Sequence, residues 1–323
     1  MQTIGVLTSG GDAPGMNACI RAVVRMALSE NKTVVGIRRG YQGLIESDFM
    51  DLDAHSVSGI IQQGGTMLRS ARSEEFRTVE GRAKAHANMV AKGIDGLVVI
   101  GGDGTFTGAQ KFMQEFPNVP IVGCPGTIDN DLYGTDFTIG YDTAINTAMN
   151  AIDNIKDTAN AHDRLFFIEV MGRDAGFIAL LSGIACGAEA VLIPENKMSI
   201  DNLILTLESN YQRKKTSNIV IVAEGDDAGG AFKVAEAVKN RFNRYEIKVC
   251  ILGHLQRGGR PTCMDRVRAS RMGIAAVEAL LSGIKGVMIG EDGRTMVHVP
   301  FEHAIKHNIE LNPKLVKMVE ILS

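Results

Sequence analysis

Short β-branched apolar runs alternate with longer segments of helical period along the whole chain. Eight runs read as strands: 2–8 (QTIGVLT), 33–38 (TVVGIR), 94–100 (IDGLVVI), 119–123 (VPIVG), 164–170 (RLFFIEV), 188–193 (AEAVLI), 217–223 (SNIVIVA) and 247–252 (IKVCIL). Their apolar positions are continuous rather than alternating, the pattern of parallel strands covered on both faces. From about 141 to 160, Ile145, Ala148, Met149, Ile152 and Ile155 fall on one stripe, and that spacing predicts an amphipathic helix. A second helix is expected over 264–282, where Val267, Ala269, Met272, Ile274, Ala275 and Leu280 alternate with polar positions less cleanly. Such strand–helix alternation predicts an α/β, doubly wound fold.

Composition narrows the classes. The 323 residues leave room for two domains. A hydrophobic share of 45% with 22% charged residues is that of a soluble globular chain able to bury a core without staples. No apolar run reaches the roughly 18–20 residues that span a bilayer, and MQTIGVLTSGG lacks the basic start of a signal peptide. A net charge of −3 and the absence of Trp argue against a nucleic-acid or membrane-surface partner. Anionic ligands must then be met by locally placed cations and backbone N–H groups. Cys19, Cys124, Cys186, Cys250 and Cys263 form no CxxC pair. Four of the five follow or sit within apolar stretches, so buried free thiols and a reducing, cytoplasmic compartment are expected. No linker or short repeat marks a domain seam.

Three glycine-rich turns follow strands, where open α/β sheets bind ligands against helix N-termini. TSGGDAPGMN (Thr8–Asn17) closes the first strand, and Gly10 and Gly11 lack the Cβ atoms that would hold a phosphate off the backbone. It lacks the GK[ST] of a P-loop, and a bare strand–helix turn reads equally well. IGGDGTF (Ile100–Phe106) sets three glycines around Asp103. It reads as a phosphate nest with Asp103 on magnesium, against the plainer reading of an N-cap. PGTIDNDLYGTD (Pro125–Asp136) gathers Asp129, Asp131 and Asp136 at a strand end. A kinase acting on a hydroxyl needs a carboxylate in reach of that hydroxyl; a solvated acidic loop is the alternative.

Cations cluster in the second half. Arg164 opens a strand, Arg173 lies in EVMGRDAG at its far end, and His254, Arg257 and Arg260 lie in LGHLQRGGRPT. Arg suits bidentate phosphate contacts. His254 has no second ligand at metal spacing and reads as a phosphate or hydroxyl donor, and Glu224 as a sugar-hydroxyl acceptor or a turn carboxylate. His303 and His307, four apart without HExxH, read as a solvent-facing pair.

TSGGDAPGMNACIRAVVR, GGTMLRSAR, VVIGGDGT, GTIDNDLYGTDFTIGYDTA, EVMGRDAG and LGHLQRGG, in this order and spacing, resemble the bacterial ATP-dependent 6-phosphofructokinases over essentially the whole chain. The resemblance implies transfer of the ATP γ-phosphate to the 1-hydroxyl of fructose 6-phosphate, with Mg2+. It implies two Rossmann-like domains, 1–140 plus 256–306 for ATP and 141–255 plus 307–323 for fructose 6-phosphate. Gly11, Tyr41, Arg72, Ser73, Gly102, Asp103, Gly104, Thr105 and Gly108 match nucleotide positions, with Asp103 on the metal. Asp129 matches the base, flanked by Thr127 and Asp131, and Arg72 and Arg173 match residues that stabilise the transferring group. Ile128, Met171, Gly172, Arg173, Glu224, Lys248, His254, Leu255, Gln256 and Arg257 match sugar-phosphate positions, with Arg164 supplied by a neighbouring subunit of a homotetramer.

Departures from the pattern carry expectations of their own. Lys248 replaces the family's Arg, keeping the charge but losing the fork, so weaker sugar-phosphate binding is expected. Arg21, Arg25, Gly187, Arg213 and Lys215 fit an effector site for ADP or phosphoenolpyruvate, whereas Ala54, Lys156 and Ser217 replace the usual basic residue, Arg and His. Weakened allosteric control is the expectation. Gly104 and Gly126 are small where pyrophosphate-dependent relatives carry Asp and Lys, which favours ATP. An NAD kinase-type enzyme explains GGDGT alone, and a dead nucleotide-binding regulator has no need of Arg72, Asp103, Asp129 and Arg173 together.

Overall fold

A computed structural model of the chain describes residues 1–160, 164–196, 198–213, 218–227, 229–305 and 311–322. The chain divides into two compact units, Met1–Thr143 with Arg257–Ile309, and Ala144–Gln256 with Glu310–Ser323.

The first unit runs β1 (Thr3–Thr8), α1 (Met16–Ser29), β2 (Thr33–Ile37), α2 (Gly40–Glu46), β3 (Phe49–Leu52), α3 (Val79–Lys92), β4 (Gly96–Gly101), α4 (Asp103–Glu115) and β5 (Ile121–Pro125). Helix α5 (Tyr141–Asn160) then leads into the second unit: β6 (Arg164–Val170), α6 (Phe177–Cys186), β7 (Ala190–Leu192), α7 (Ile200–Gln212), β8 (Asn218–Ala223), α8 (Ala231–Lys239) and β9 (Glu246–Ile251). The chain returns through α9 (Cys263–Leu281), β10 (Val287–Asp292), β11 (Thr295–Pro300) and α10 (Phe301–Ala304), and closes with α11 (Pro313–Leu322).

The fold is α/β. In the first unit the sheet order is β11-β10-β5-β4-β1-β2-β3. Its centre is parallel, and only β3 and β11 run antiparallel to their neighbours. Every residue of β4 and β5 is buried, as continuous apolar runs require when helices cover both faces. The second unit holds a fully parallel sheet, β7-β8-β6-β9. Each unit has its own core: Leu7, Leu97, Phe106, Phe112 and Ile121 lie in the first, and Leu165, Phe167, Leu203, Val220 and Val234 in the second.

All eight expected strands are present, with 164–170 matched at both ends by β6 and no end of the others moved by more than two residues. Local hydrogen bonds set the shifts. Ile94 N–H donates to Met89 O behind the left-handed Gly93, closing α3, so β4 starts at Gly96 rather than 94. Val119 N–H closes a turn on Phe116 O, so β5 starts at Ile121. Three strands, the four-residue β3 and the six-residue β10 and β11, stand where none was expected. The thiols depart from expectation too: Cys19, Cys124 and Cys186 are buried, but Cys250 is half-buried and Cys263 exposed.

Candidate active site

Sheet order brings the candidate turns together. β1, β4 and β5 are adjacent and parallel, so the turns at residues 9–15, 101–105 and 126–140 emerge side by side at their carboxyl ends. Hydrogen bonds then tie turn to turn. Ser9 N–H donates to Ile100 O at 3.0 Å, Thr105 Oγ1 donates to Ser9 O at 3.2 Å, and Gly126 N–H donates to Gly101 O at 2.9 Å.

Gly10 sits at φ +84°, a backbone state that L side chains rarely adopt. At Gly11 the near neighbour is a side chain: a Cβ there would lie 2.3 Å from Arg257 Nη1, the mobile end of an arginine that points at Asp12 O at 3.5 Å. A residue assigned to the nucleotide and one assigned to the sugar phosphate thus share one spot of the first unit.

Helix α4 opens directly on the second turn. Gly102 is its extended N-cap and Asp103 its first helical residue, so Asp103 sits at the positive end of the helix dipole. Gly104 faces open space, with no heavy atom within 4 Å of where its Cβ would be. Behind the turn, the Tyr41 hydroxyl donates to Thr105 O at 2.7 Å, and its ring stacks on Phe76 with centroids 4.0 Å apart. Burial pushes the Tyr41 hydroxyl well above its ordinary pKa. Gly108 leaves room for that ring, since a Cβ would come within 3.0 Å of it. Tyr41 is therefore buried behind the turn, only 5% exposed. Ser73 Oγ bonds Gln42 Oε1 at 2.6 Å and accepts from Phe76 N–H at 3.1 Å; Arg72 is exposed.

The third turn faces the second. A Cβ on Gly102 would lie 3.6 Å from Thr127 Cβ, so the turn carrying Asp103 abuts the turn carrying Asp129. Thr127 Oγ1 accepts the Asp129 N–H at 3.2 Å, while Ile128 and Leu132 are fully buried and anchor the loop on either side. Asn130, which the motif analysis passed over, closes the loop. It sits at φ +54°; its Oδ1 accepts from Thr138 N–H (2.8 Å) and lies 3.2 Å from Thr138 Oγ1, and its Nδ2 donates to Asp136 O (3.1 Å). Asp131 is half-buried.

In the second unit, β6 ends at Val170 in the MGRDAG turn. Gly172 (φ +142°) and Arg173 (φ +54°) both take positive φ, and Arg173 N–H donates to Glu224 Oε1 at 2.8 Å. Gly225 is required here, because a Cβ would lie 1.9 Å from Arg173 O. Met171 N–H donates to the fully buried Gln256 Oε1 at 3.3 Å. His254 and Leu255 are exposed on the short 3-10 turn Gly253–Arg257. Arg164 Nε bonds Glu246 Oε2 at 2.9 Å and Lys248 Nζ bonds Glu246 Oε1 at 2.6 Å; Glu246 was not among the sequence candidates.

Two of the effector candidates each donate one hydrogen bond to a backbone carbonyl. Arg25 Nη2 donates to Ala54 O at 2.9 Å, and Lys156 Nζ donates to Cys186 O at 2.7 Å beside Gly187. Arg21 is half-buried and Arg213 exposed. Lys215, Ser217 and His307 lie outside the described residues; His303 is 3.5 Å from Glu302.

Among the described residues no three His, Cys, Asp or Glu side chains gather as a metal cage. A lone carboxylate suits magnesium, which keeps several waters and takes its remaining ligands from phosphates, and Asp103 at a helix N-terminus is such a group. No described helix is long and apolar enough to cross a membrane.

With this geometry in place, the chain compares closely with known proteins. The family model for phosphofructokinase matches residues 3–280. The chain is 54% identical over 323 residues to the ATP-dependent 6-phosphofructokinase 2 of Bacteroides thetaiotaomicron, covering all of this chain and 99% of that one. It is 53% identical to the ATP-dependent 6-phosphofructokinase 1 of Thermus thermophilus, with both chains covered in full. Among solved structures, the T-state of Pichia pastoris phosphofructokinase superposes with a TM-score of 0.89 at 37% identity. That match covers 94% of this chain and 35% of the longer yeast chain.

Proposed function

The chain belongs to the phosphofructokinase family, and from that premise we propose that it is an ATP-dependent 6-phosphofructokinase, transferring a phosphoryl group from ATP to the 1-hydroxyl of fructose 6-phosphate. One observation carries the reading. The Asp103 turn and the Asp129 turn leave adjacent parallel strands, and Gly102 packs against Thr127. A carboxylate at a helix N-terminus and a second carboxylate on the abutting turn are the two groups that such a transfer needs.

In this reading Asp129 takes the proton of the sugar 1-hydroxyl as its oxygen bonds to the γ-phosphorus. The bond from that phosphorus to the β–γ bridging oxygen breaks, and ADP leaves. Backbone N–H groups at Gly11 and at the start of α4 meet the donor phosphates, with Gly104 and Thr105 alongside. Asp103 would hold Mg2+, which neutralises charge on those phosphates when bound. Arg72 and Arg173 stabilise the charge spread over the transferring group, since this chemistry is largely electrostatic. Thr127 orients Asp129 through its backbone N–H, and Asp131 lies beside the reacting groups. Ile128, Met171, Gly172, Glu224, His254, Leu255, Gln256 and Arg257 contact fructose 6-phosphate. Arg164 and Lys248 reach the sugar phosphate of a neighbouring subunit in a homotetramer. The first unit takes ATP and the second the sugar phosphate, in a cytoplasmic enzyme. Weakened control by ADP or phosphoenolpyruvate follows from Ala54 and from Lys156, which lacks the guanidinium fork and is held at Cys186 O by one of its three N–H donors.

The test is a coupled assay with ATP, Mg2+ and a panel of hexose phosphates, run beside one with pyrophosphate. Fructose 6-phosphate with ATP should be the best pair. Asp129→Asn should lower kcat by about 10²–10⁴-fold, the span of general-base catalysis, with ATP affinity within about twofold. Retention of kcat within about tenfold in that variant, or faster turnover with pyrophosphate, would defeat the assignment.

A further inference from the structure

Strand β9 is an edge of the four-stranded sheet, paired in parallel with β6. Arg164 lies in register with Glu246, and Phe166 with Lys248. Glu246 and Lys248 are two residues apart on a strand and so face the same side. On that side the Glu246 carboxylate spans the two cations, Oε1 on Lys248 Nζ at 2.6 Å and Oε2 on Arg164 Nε at 2.9 Å. The Lys248 ammonium, and then the Arg164 guanidinium, hold the Glu246 carboxyl below the usual carboxylate range.

We propose that Glu246 is an internal competitor for the sugar's phosphate: its carboxylate occupies Arg164 and Lys248 until the phosphate displaces it, and it thereby sets the affinity of the enzyme for fructose 6-phosphate without touching the rate of transfer. The inference rests on the assignment of these two cations to the sugar phosphate. A carboxylate and a phosphate offer the same pair of acceptor oxygens to a guanidinium and an ammonium. The side chains are 28% (Arg164), 56% (Glu246) and 42% (Lys248) exposed, so solvent screens the ion pairs and they open readily. Once displaced, the carboxylate stays on the same short stretch of strand and repels the incoming dianion. Binding therefore loses both the broken ion pairs and a like-charge contact.

The test is Glu246→Gln, which keeps the shape and one acceptor oxygen and removes the charge. Calorimetric titration with fructose 6-phosphate should show Kd lowered about three- to tenfold at low salt, the size expected for one partly exposed charge. The gain should shrink toward about 1 M ionic strength, where the Debye length is about 3 Å. KM for fructose 6-phosphate should fall in parallel with kcat within about twofold, and the gain should be smaller when measured in a Lys248→Gln background. A Kd unchanged or weakened in Glu246→Gln overturns the proposal, as does failure of both proteins to bind fructose 6-phosphate or inorganic phosphate. Turnover is read separately. If the wild-type chain binds the sugar phosphate but does not phosphorylate it, the kinase reading falls while the titration still decides the competition.

Discussion

Asn130 closes the loop that carries Asp129. Its left-handed backbone and its side-chain bonds with Thr138 N–H and Asp136 O fold residues 127–138 back on themselves, while the one proton of the Thr138 hydroxyl goes to Thr127 O at 2.6 Å, with Asn130 Oδ1 farther off at 3.2 Å. Asn130→Gly keeps the backbone conformation and deletes the two bonds. At about 0.5–1.5 kcal/mol each, with Thr138 N–H and Asp136 O losing these side-chain partners, the loss is about 1–3 kcal/mol. Asn130→Ala deletes the same bonds but keeps a Cβ in the left-handed region, about 1 kcal/mol of strain that Asn130→Gly lacks. The difference between the two variants isolates backbone strain from hydrogen bonding. Urea unfolding reads both. In the kinase assay, a loop that no longer fixes Asp129 should lower kcat by about 10–100-fold, because misplacement by an ångström is worth that much. KM for ATP should change by less than about twofold, since the α4 N-terminus is built from other residues. If Asn130→Gly loses the expected stability but keeps kcat within about twofold, the loop does not position Asp129.

Gly104→Asp places a carboxylate in open space, in the first turn of α4, where acids favour the helix dipole; stability should hold or rise slightly, while like-charge repulsion raises KM for ATP about 5–50-fold. An unchanged KM would remove Gly104 from the nucleotide site. Asp265 is fully buried and accepts from Gly140 N–H (3.0 Å), from Thr143 N–H (2.8 Å) and from the Thr143 hydroxyl, yet burial outweighs these bonds and raises its pKa. Its contribution is thus complete below the ordinary carboxylate pKa and is lost as pH rises through the raised folded value. Urea midpoints measured from about pH 4 to pH 7 should show the wild type losing ground to Asp265→Asn as pH increases, on top of a constant offset from the altered hydrogen bonds; a difference that does not vary with pH refutes the sign.

How much of this could be read from residues alone depended on whether the cause was local. Central strands such as β4 and β5 are buried on both faces, so their runs are continuously apolar and stand out. The strands that escaped notice are short or mixed. β10 carries Glu291, which is tolerated at 5% exposure only because Arg268 Nε and Arg271 Nη1 reach it from α9 at 3.0 and 2.6 Å. No window of residues 287–292 contains that reason.

The candidate site divides along the same line. Turns after β1, β4 and β5 were legible because glycine and carboxylate at a strand end have a local meaning. Gly11 shows where local meaning ran short: phosphate approach was the reason at hand, but the atom that a Cβ would strike belongs to Arg257, far along the chain. Asn130 and Thr138 are eight residues apart, Arg164 and Glu246 eighty-two; neither pairing leaves a periodic signal. A motif therefore names the residues that meet a ligand, and the residues that hold them in place become visible only when the sheet order sets distant turns against one another. Asp265 makes the point most sharply: its carboxylate takes Gly140 and Thr143 at one end of α5 from the first turn of α9, 122–125 residues on, a structural duty written in no motif that names it.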